Sequence, residues 1–140
     1  MELDRELEQR VWQRVCHQPE IPDREGELAR LISRRLGLAA EYARLSRQPS
    51  HRTAFARLEK TARKQAMCLM GLYRLGGAYA KISPLPPAGR QEHALRRCIA
   101  EELQFLQICA AETGPWMPVF EALGIQSREN LLALLEILGG

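Results

Sequence analysis

Residues 55–75, FARLEKTARKQAMCLMGLYRL, carry the pattern that decides the fold. Phe55, Leu58, Ala62, Leu69 and Leu72 recur at the three- and four-residue steps of one face of an amphipathic α-helix. The same stripe passes through Gln65, so a polar amide sits where a core residue is expected. Buried there, it needs hydrogen-bond partners from neighbouring elements.

Working outward, the periodicity predicts a helix over Arg52–Leu75, stopped by Gly76 and Gly77. Before it, Leu28, Leu31, Arg35, Leu38, Tyr42 and Leu45 predict a helix over Glu25–Arg47, ended by Pro49, with Arg35 as the charged member of its stripe. After it, KISPLPPAGR holds three prolines and a glycine, which excludes a helix interior and reads as a long crossover over 82–91. Leu95, Cys98, Glu102, Phe105 and Cys109 then predict a helix over Gln91–Glu112, with Glu102 as its intruder. Thr113, Gly114 and Pro115 break the chain. A last helix over Trp116–Leu138 carries Phe120, Leu123, Ser127, Asn130, Leu134 and Ile137.

Ahead of these, Leu3, Leu7, Val11 and Val15 fall at four-residue intervals beside Trp12, which reads as a short leading helix over 3–17 that braces the bundle or binds a partner. HQPEIPDREG follows as its connector. The expected fold is therefore all-α: one domain over 1–140, with an N-terminal helix and connector over 1–22, a helix pair over 25–77, the crossover, and a second pair over 91–138. Two long helices, a crossover and two more describe an antiparallel four-helix bundle with one long connection.

In such a bundle the mid-helix positions of all four helices meet at one level. Arg35, Gln65, Glu102 and Asn130 are thus expected to form a buried polar layer, with Ala62 and Ser127 one turn away. A buried charge needs a partner. Arg35 and Glu102 are expected to pair, with Gln65, Asn130 and the Tyr42 hydroxyl meeting their remaining donors and acceptors. The competing arrangement has Arg35 snorkelling past the core and Glu102 in water, leaving Glu101 or neither residue inside.

Composition bounds the function. The 140 residues, 46% hydrophobic and 26% charged, suffice for a core without disulfide or metal staples. The acidic start MELDRELEQR lacks the features of a secretory signal, and no apolar run approaches the ~18 to 20 residues of a membrane span, so a cytoplasmic location and no membrane partner are expected. The net charge of +3 hides an asymmetry: residues 101–140 hold Glu101, Glu102, Glu112, Glu121, Glu129 and Glu136 against Arg128 alone. A basic first half facing an acidic second half is explained inside the fold, and the basic patch with interleaved aromatics of a nucleic-acid binder is absent.

With these helices placed, the chain resembles the ferritin-like superfamily, specifically the small rubrerythrin-type four-helix bundles. The resemblance spans ~25–138 and rests on GLAAEYARLS, FARLEKTARKQAMCLMGLYRLGG, LRRCIAEELQFLQ and FEALGIQSRENLLALLEILG, with the two halves echoing each other. It implies a Glu from the first and third helices and a Glu-x-x-His from the second and fourth, together holding two iron or manganese ions. Carried over residue by residue, those ligand positions fall on Arg35, on Ala62 and Gln65, on Glu102, and on Ser127 and Asn130. Only Glu102 keeps its chemistry. One carboxylate beside a guanidinium does not offset the charge of two metal ions, and His17, His51 and His93 lie off every stripe. No di-iron centre and no cofactor are expected.

The leading functional expectation is a ferritin-like bundle that has lost its di-iron site and works, without catalysis, as a structural or protein-interaction module. Its expected interaction surfaces are the leading helix and the basic face of Arg57, Lys60 and Lys64, and its expected partners are another protein or, as the resemblance implies, a second copy met through bundle faces. The alternative is a metal or redox protein, with iron or copper on the residual Glu102 or on rebuilt ligands: Met67, Cys68 and Met70 on the second helix, with Cys98 or Cys109 on the third. Cys98 and Cys109 stand ~16 Å apart along one helix and do not share an ion. A lone acid or base at Glu102 is the remaining enzymatic reading, without a nucleophile or phosphate loop to support it.

Overall fold

The computed structural model describes residues 24–140; the leading helix expected over 3–17, with its connector, Cys16 and His17, lies outside the described residues. All regular structure among those residues is helical: α1 Arg24–Leu45, α2 Arg52–Leu75, α3 Ala94–Ala111 and α4 Met117–Gly139, with a 3-10 turn at Gln91–His93 leading into α3. None of these helices is long and apolar enough to cross a membrane.

The boundaries differ from expectation at three places. α1 stops at Leu45, four residues short of Pro49, where the Ser46 hydroxyl donates to the Ala43 carbonyl and draws the chain into a turn. The first turn expected for α3 is the tighter 3-10 turn, and its last residue is Ala111 rather than Glu112. Of the neighbours Leu31 and Ile32 on α1, Ile32 is the fully buried one, while Leu31 is only partly covered at the edge of the core. Both fit a three-or-four step from Leu28, and the sequence alone does not separate them. The stop after α2 is as expected, with Gly77 at φ 92°, a left-handed conformation that costs glycine little.

α1 packs on α2 and α3 on α4, while α1 also meets α3 and α2 meets α4. Every touching pair is antiparallel, since Arg24 reaches Glu112 at one end of the α1–α3 seam and Arg97 reaches Glu41 near the other. The consecutive helices α2 and α3 are therefore diagonal and run the same way, so the chain between them must return along the bundle. α3, with 18 residues, spans ~27 Å, a distance that the extended, proline-bearing segment 78–90 covers as a strap over the α1–α3 seam. Ile82 packs against the core at one end, Leu85 N–H donates to the Ser33 carbonyl at 2.9 Å, and the Ser33 hydroxyl donates to the Ser83 carbonyl at 2.8 Å.

The strap passes so close to α1 that a Cβ on Gly37 would stand 2.4 Å from the Leu85 carbonyl oxygen. Glycine is needed there because of the neighbour, not because of its own backbone.

The opposite charges of the two halves meet along the α1–α3 seam. Arg24 bridges to Glu112 at 2.9 Å, Arg34 to Glu101 at 2.9 Å, Arg35 to Glu102 at 3.1 Å, and Glu41 receives Arg97 at 2.6 Å. Three of the six glutamates in the acidic half are thus held by arginines of α1.

The core is divided. At one end Leu28, Ile32, Leu69, Leu72, Phe105, Phe120 and Leu123 form one apolar cluster; at the other Leu38, Tyr42, Phe55, Leu58, Ala62, Cys98 and Leu134 form a second. Arg35, Gln65, Glu102, Ser127 and Asn130, all buried, lie between them.

Candidate functional site

Each helix contributes to this layer because its apolar stripe is interrupted by a polar residue at mid-length, once on α1, α2 and α3 and twice on α4. α1 brings Arg35, 1% exposed; α2 brings Gln65 and α3 brings Glu102, both fully buried; α4 brings Ser127 and Asn130. Packing the flanking stripes carries the polar groups inside, and the penalty of stripping water from them sets how they must be arranged.

The Glu102 carboxylate is the centre. Its Oε1 accepts from the Tyr42 hydroxyl at 2.8 Å and from Asn130 Nδ2 at 3.2 Å. Its Oε2 accepts from Arg35 Nη1 at 3.1 Å and from the Ser127 hydroxyl, which also lies 3.1 Å from the Glu102 carbonyl. Four donors from two other helices, α1 and α4, one of them in an ion pair, therefore replace the water that a carboxylate normally keeps. Bonds to a charged acceptor are the stronger kind.

Arg35 is held on several sides. Nη1 donates to Gln65 Oε1 at 3.2 Å as well as to Glu102, and Nη2 donates to the Glu101 carbonyl at 3.0 Å. The guanidinium carbon stands 4.0 Å over the centre of the Phe105 ring, a cation–π contact strengthened by the absence of water. Nε alone has no acceptor in the protein. Gln65 turns its own Nε2 to the Leu123 carbonyl at 3.2 Å, which fixes the amide and links α2 to α4.

The layer also shifts a proton. Burial, then the Glu102 carboxylate, Cys98 and the hydrogen bond to Glu102 hold the Tyr42 hydroxyl well above its ordinary 10.0, against a smaller opposing pull from Arg35. Tyr42 is therefore a donor to Glu102 at any ordinary pH.

Of the residues singled out in the sequence, Arg35, Gln65, Glu102, Asn130 and Tyr42 are brought together. Ser127, expected one turn away, donates directly to the carboxylate, because its short side chain on α4 lies against α3. Ala62 is fully buried in the cluster beside the layer and supplies no polar atom. The arrangement with Arg35 reaching water and Glu101 inside does not occur: Glu101 is partly exposed and pairs with Arg34. Three participants were missed. The Glu101 and Leu123 carbonyls give no residue-type signal, whereas Phe105 sits on the α3 stripe one turn from Glu102 and its closeness to Arg35 was readable from spacing.

The soft-ligand candidates are not brought together. Cys68 is exposed on α2, while Cys98 and Cys109 are buried in different clusters. Burial pushes both buried thiols up to about 12, opposite to the depressed values of metal-binding or reactive cysteines. Among the described residues no group of three or more His, Cys, Asp or Glu is placed to hold a metal ion. The layer itself does not fit two metal ions: it offers one carboxylate, already bonded by four protein donors, with a permanent cation beside it.

Comparison with family models, with curated proteins and with solved structures finds no match to this chain.

Proposed function

We propose that the protein is a bundle of the ferritin-like, rubrerythrin-related type in which an internal ion pair has replaced the di-metal centre, and that it works as a non-catalytic structural or protein-interaction module. The observation that carries this reading is the full engagement of Glu102. Its two oxygens take Tyr42, Asn130, Ser127 and Arg35, and the positive charge a metal would supply comes from a guanidinium 3.1 Å away. The bundle with parallel, diagonal α2 and α3 joined by a full-length strap supports the same reading, since it has the one long crossover of that fold class.

The chemistry left to such a layer is structural. It offers no exposed nucleophile, and its carboxylate has no lone pair directed at an open cavity. A buried pair of this kind fixes register more than it adds stability: only one alignment of α1 with α3 places Arg35 against Glu102.

Elemental analysis of protein purified without chelators, followed by titration with Fe(II) and Mn(II), tests the proposal. Substoichiometric metal and no change on titration are expected. One or two equivalents of either ion, lost in the Glu102→Gln variant, would overturn it.

A further inference from the structure

The outer side of α4 carries a second stripe that the bundle does not use. Met117, Glu121, Ile125, Arg128, Leu132 and Leu135 follow one another at steps of four, four, three, four and three, the spacing of one continuous helix face. All six are exposed, the four apolar ones at 43%, 62%, 59% and 45% in chain order. Neither Glu121 nor Arg128 takes part in an ion pair among the described residues. A shallow groove of about 410 Å³ lies alongside, between Leu106 and Ala110 of α3 and the bare backbone of Gly124.

The order of residues in this stripe points to its occupant. Glu121 and Arg128 are equally far from the Gly124–Ile125 peptide, and so are Met117 and Leu132. When two copies of α4 cross antiparallel at that peptide, each Glu121 meets the partner's Arg128, each Met117 meets the partner's Leu132, and the two Ile125 side chains meet at the centre beside the grooves. One two-fold axis makes all of these contacts at once, as a closed, self-complementary interface requires. A parallel pairing would set like charges against each other.

We infer that the α4 stripe is the interface of a symmetric homodimer of this chain. It is independent of the reading of the polar layer, because α4 turns Ser127 and Asn130 inward and this stripe outward.

Charge reversal on the full chain tests it by sedimentation velocity, with helicity followed by circular dichroism. The wild type is expected to sediment as a dimer. E121R and R128E each place like charges opposite one another twice, and each is expected to weaken the dimer on the order of 100-fold while remaining folded. Mixing E121R with R128E restores both opposite-charge contacts, so the mixture is expected to form a heterodimer, and the double variant E121R/R128E to dimerise with itself. A monomeric wild type overturns the inference. So does a dimer indifferent to E121R, or a failure of the two single variants to pair. None of these results touches Arg35 or Glu102, so failure here and failure of the metal-replacement reading are separately visible.

Discussion

Arg35 and Glu102 form an ion pair at 3.1 Å with both side chains sealed from solvent, 1% and 0% exposed. Taking two charges out of water is repaid only while each has the other. Glu102→Ala leaves a guanidinium in the core with only Gln65, one carbonyl and a ring face around it, and is expected to cost roughly 3 to 5 kcal/mol. The double variant Arg35→Met/Glu102→Leu leaves only neutral groups unpartnered and is expected to cost less than the single change, despite removing more. Urea denaturation of both, with equal slopes, checks this; a double variant as unstable as Glu102→Ala or worse would remove the ion pair from the account.

Tyr42 gives the layer a signature in alkaline solution. Below its ordinary 10.0, folded and unfolded chains both hold the phenolic proton, and pH does not act through this group. Above that value the unfolded chain releases the proton, while the folded chain keeps it because burial and Glu102 raise the native value. Stability should therefore fall as pH rises past 10, and Tyr42→Phe should flatten that fall. At neutral pH the same substitution removes one donor from a buried carboxylate, at an expected cost of about 1.5 to 3 kcal/mol. Unfolding free energies of wild type and variant at neutral and alkaline pH decide it; parallel pH profiles would mean that Tyr42 ionises freely in the fold.

Much of this layer was legible because a polar residue on an apolar stripe is a strong signal. Arg35, Gln65, Glu102 and Asn130 break four otherwise regular periodicities, and packing four stripes leaves them nowhere but the centre. Ser127 was placed a turn too far because stripe spacing gives angle, not reach, and a serine close to the α3 backbone needs little. Leu31 and Ile32 were confused because both steps satisfy helical spacing. The strap's course over α1 was beyond reach: its prolines predict an extended chain, but only the Ser33 hydrogen bonds and the bare Gly37 backbone fix where it lies.

Gly37 offers a case in which two effects of opposite sign compete. In an exposed helix interior, alanine is favoured over glycine by up to about 1 kcal/mol. Here the new Cβ would stand 2.4 Å from the Leu85 carbonyl oxygen, and backbone must move to admit it. Displacing the strap loses the Leu85–Ser33 and Ser33–Ser83 hydrogen bonds, each worth about 1 kcal/mol. Gly37→Ala is therefore expected to be destabilising by ~1 to 2 kcal/mol, with faster proteolysis between residues 78 and 90. A variant more stable than wild type would mean that the strap is not seated on α1.

The cysteines of the described residues should separate sharply in reactivity. Cys68 is exposed on α2, whereas burial, aided in Cys98 by Glu41 and Glu102, pushes the Cys98 and Cys109 thiols up to about 12. Since the thiolate is the reacting species, a maleimide at neutral pH is expected to label Cys68 quickly. It should reach Cys98 and Cys109 only at the rate of unfolding. Peptide mapping after timed quenching assigns each site. Because labelling of the two buried residues then reports opening of the bundle, Glu102→Ala should accelerate it at both, one in each core cluster, while leaving the Cys68 rate unchanged. Acceleration at Cys98 alone would show that the polar layer does not couple the two halves of the core.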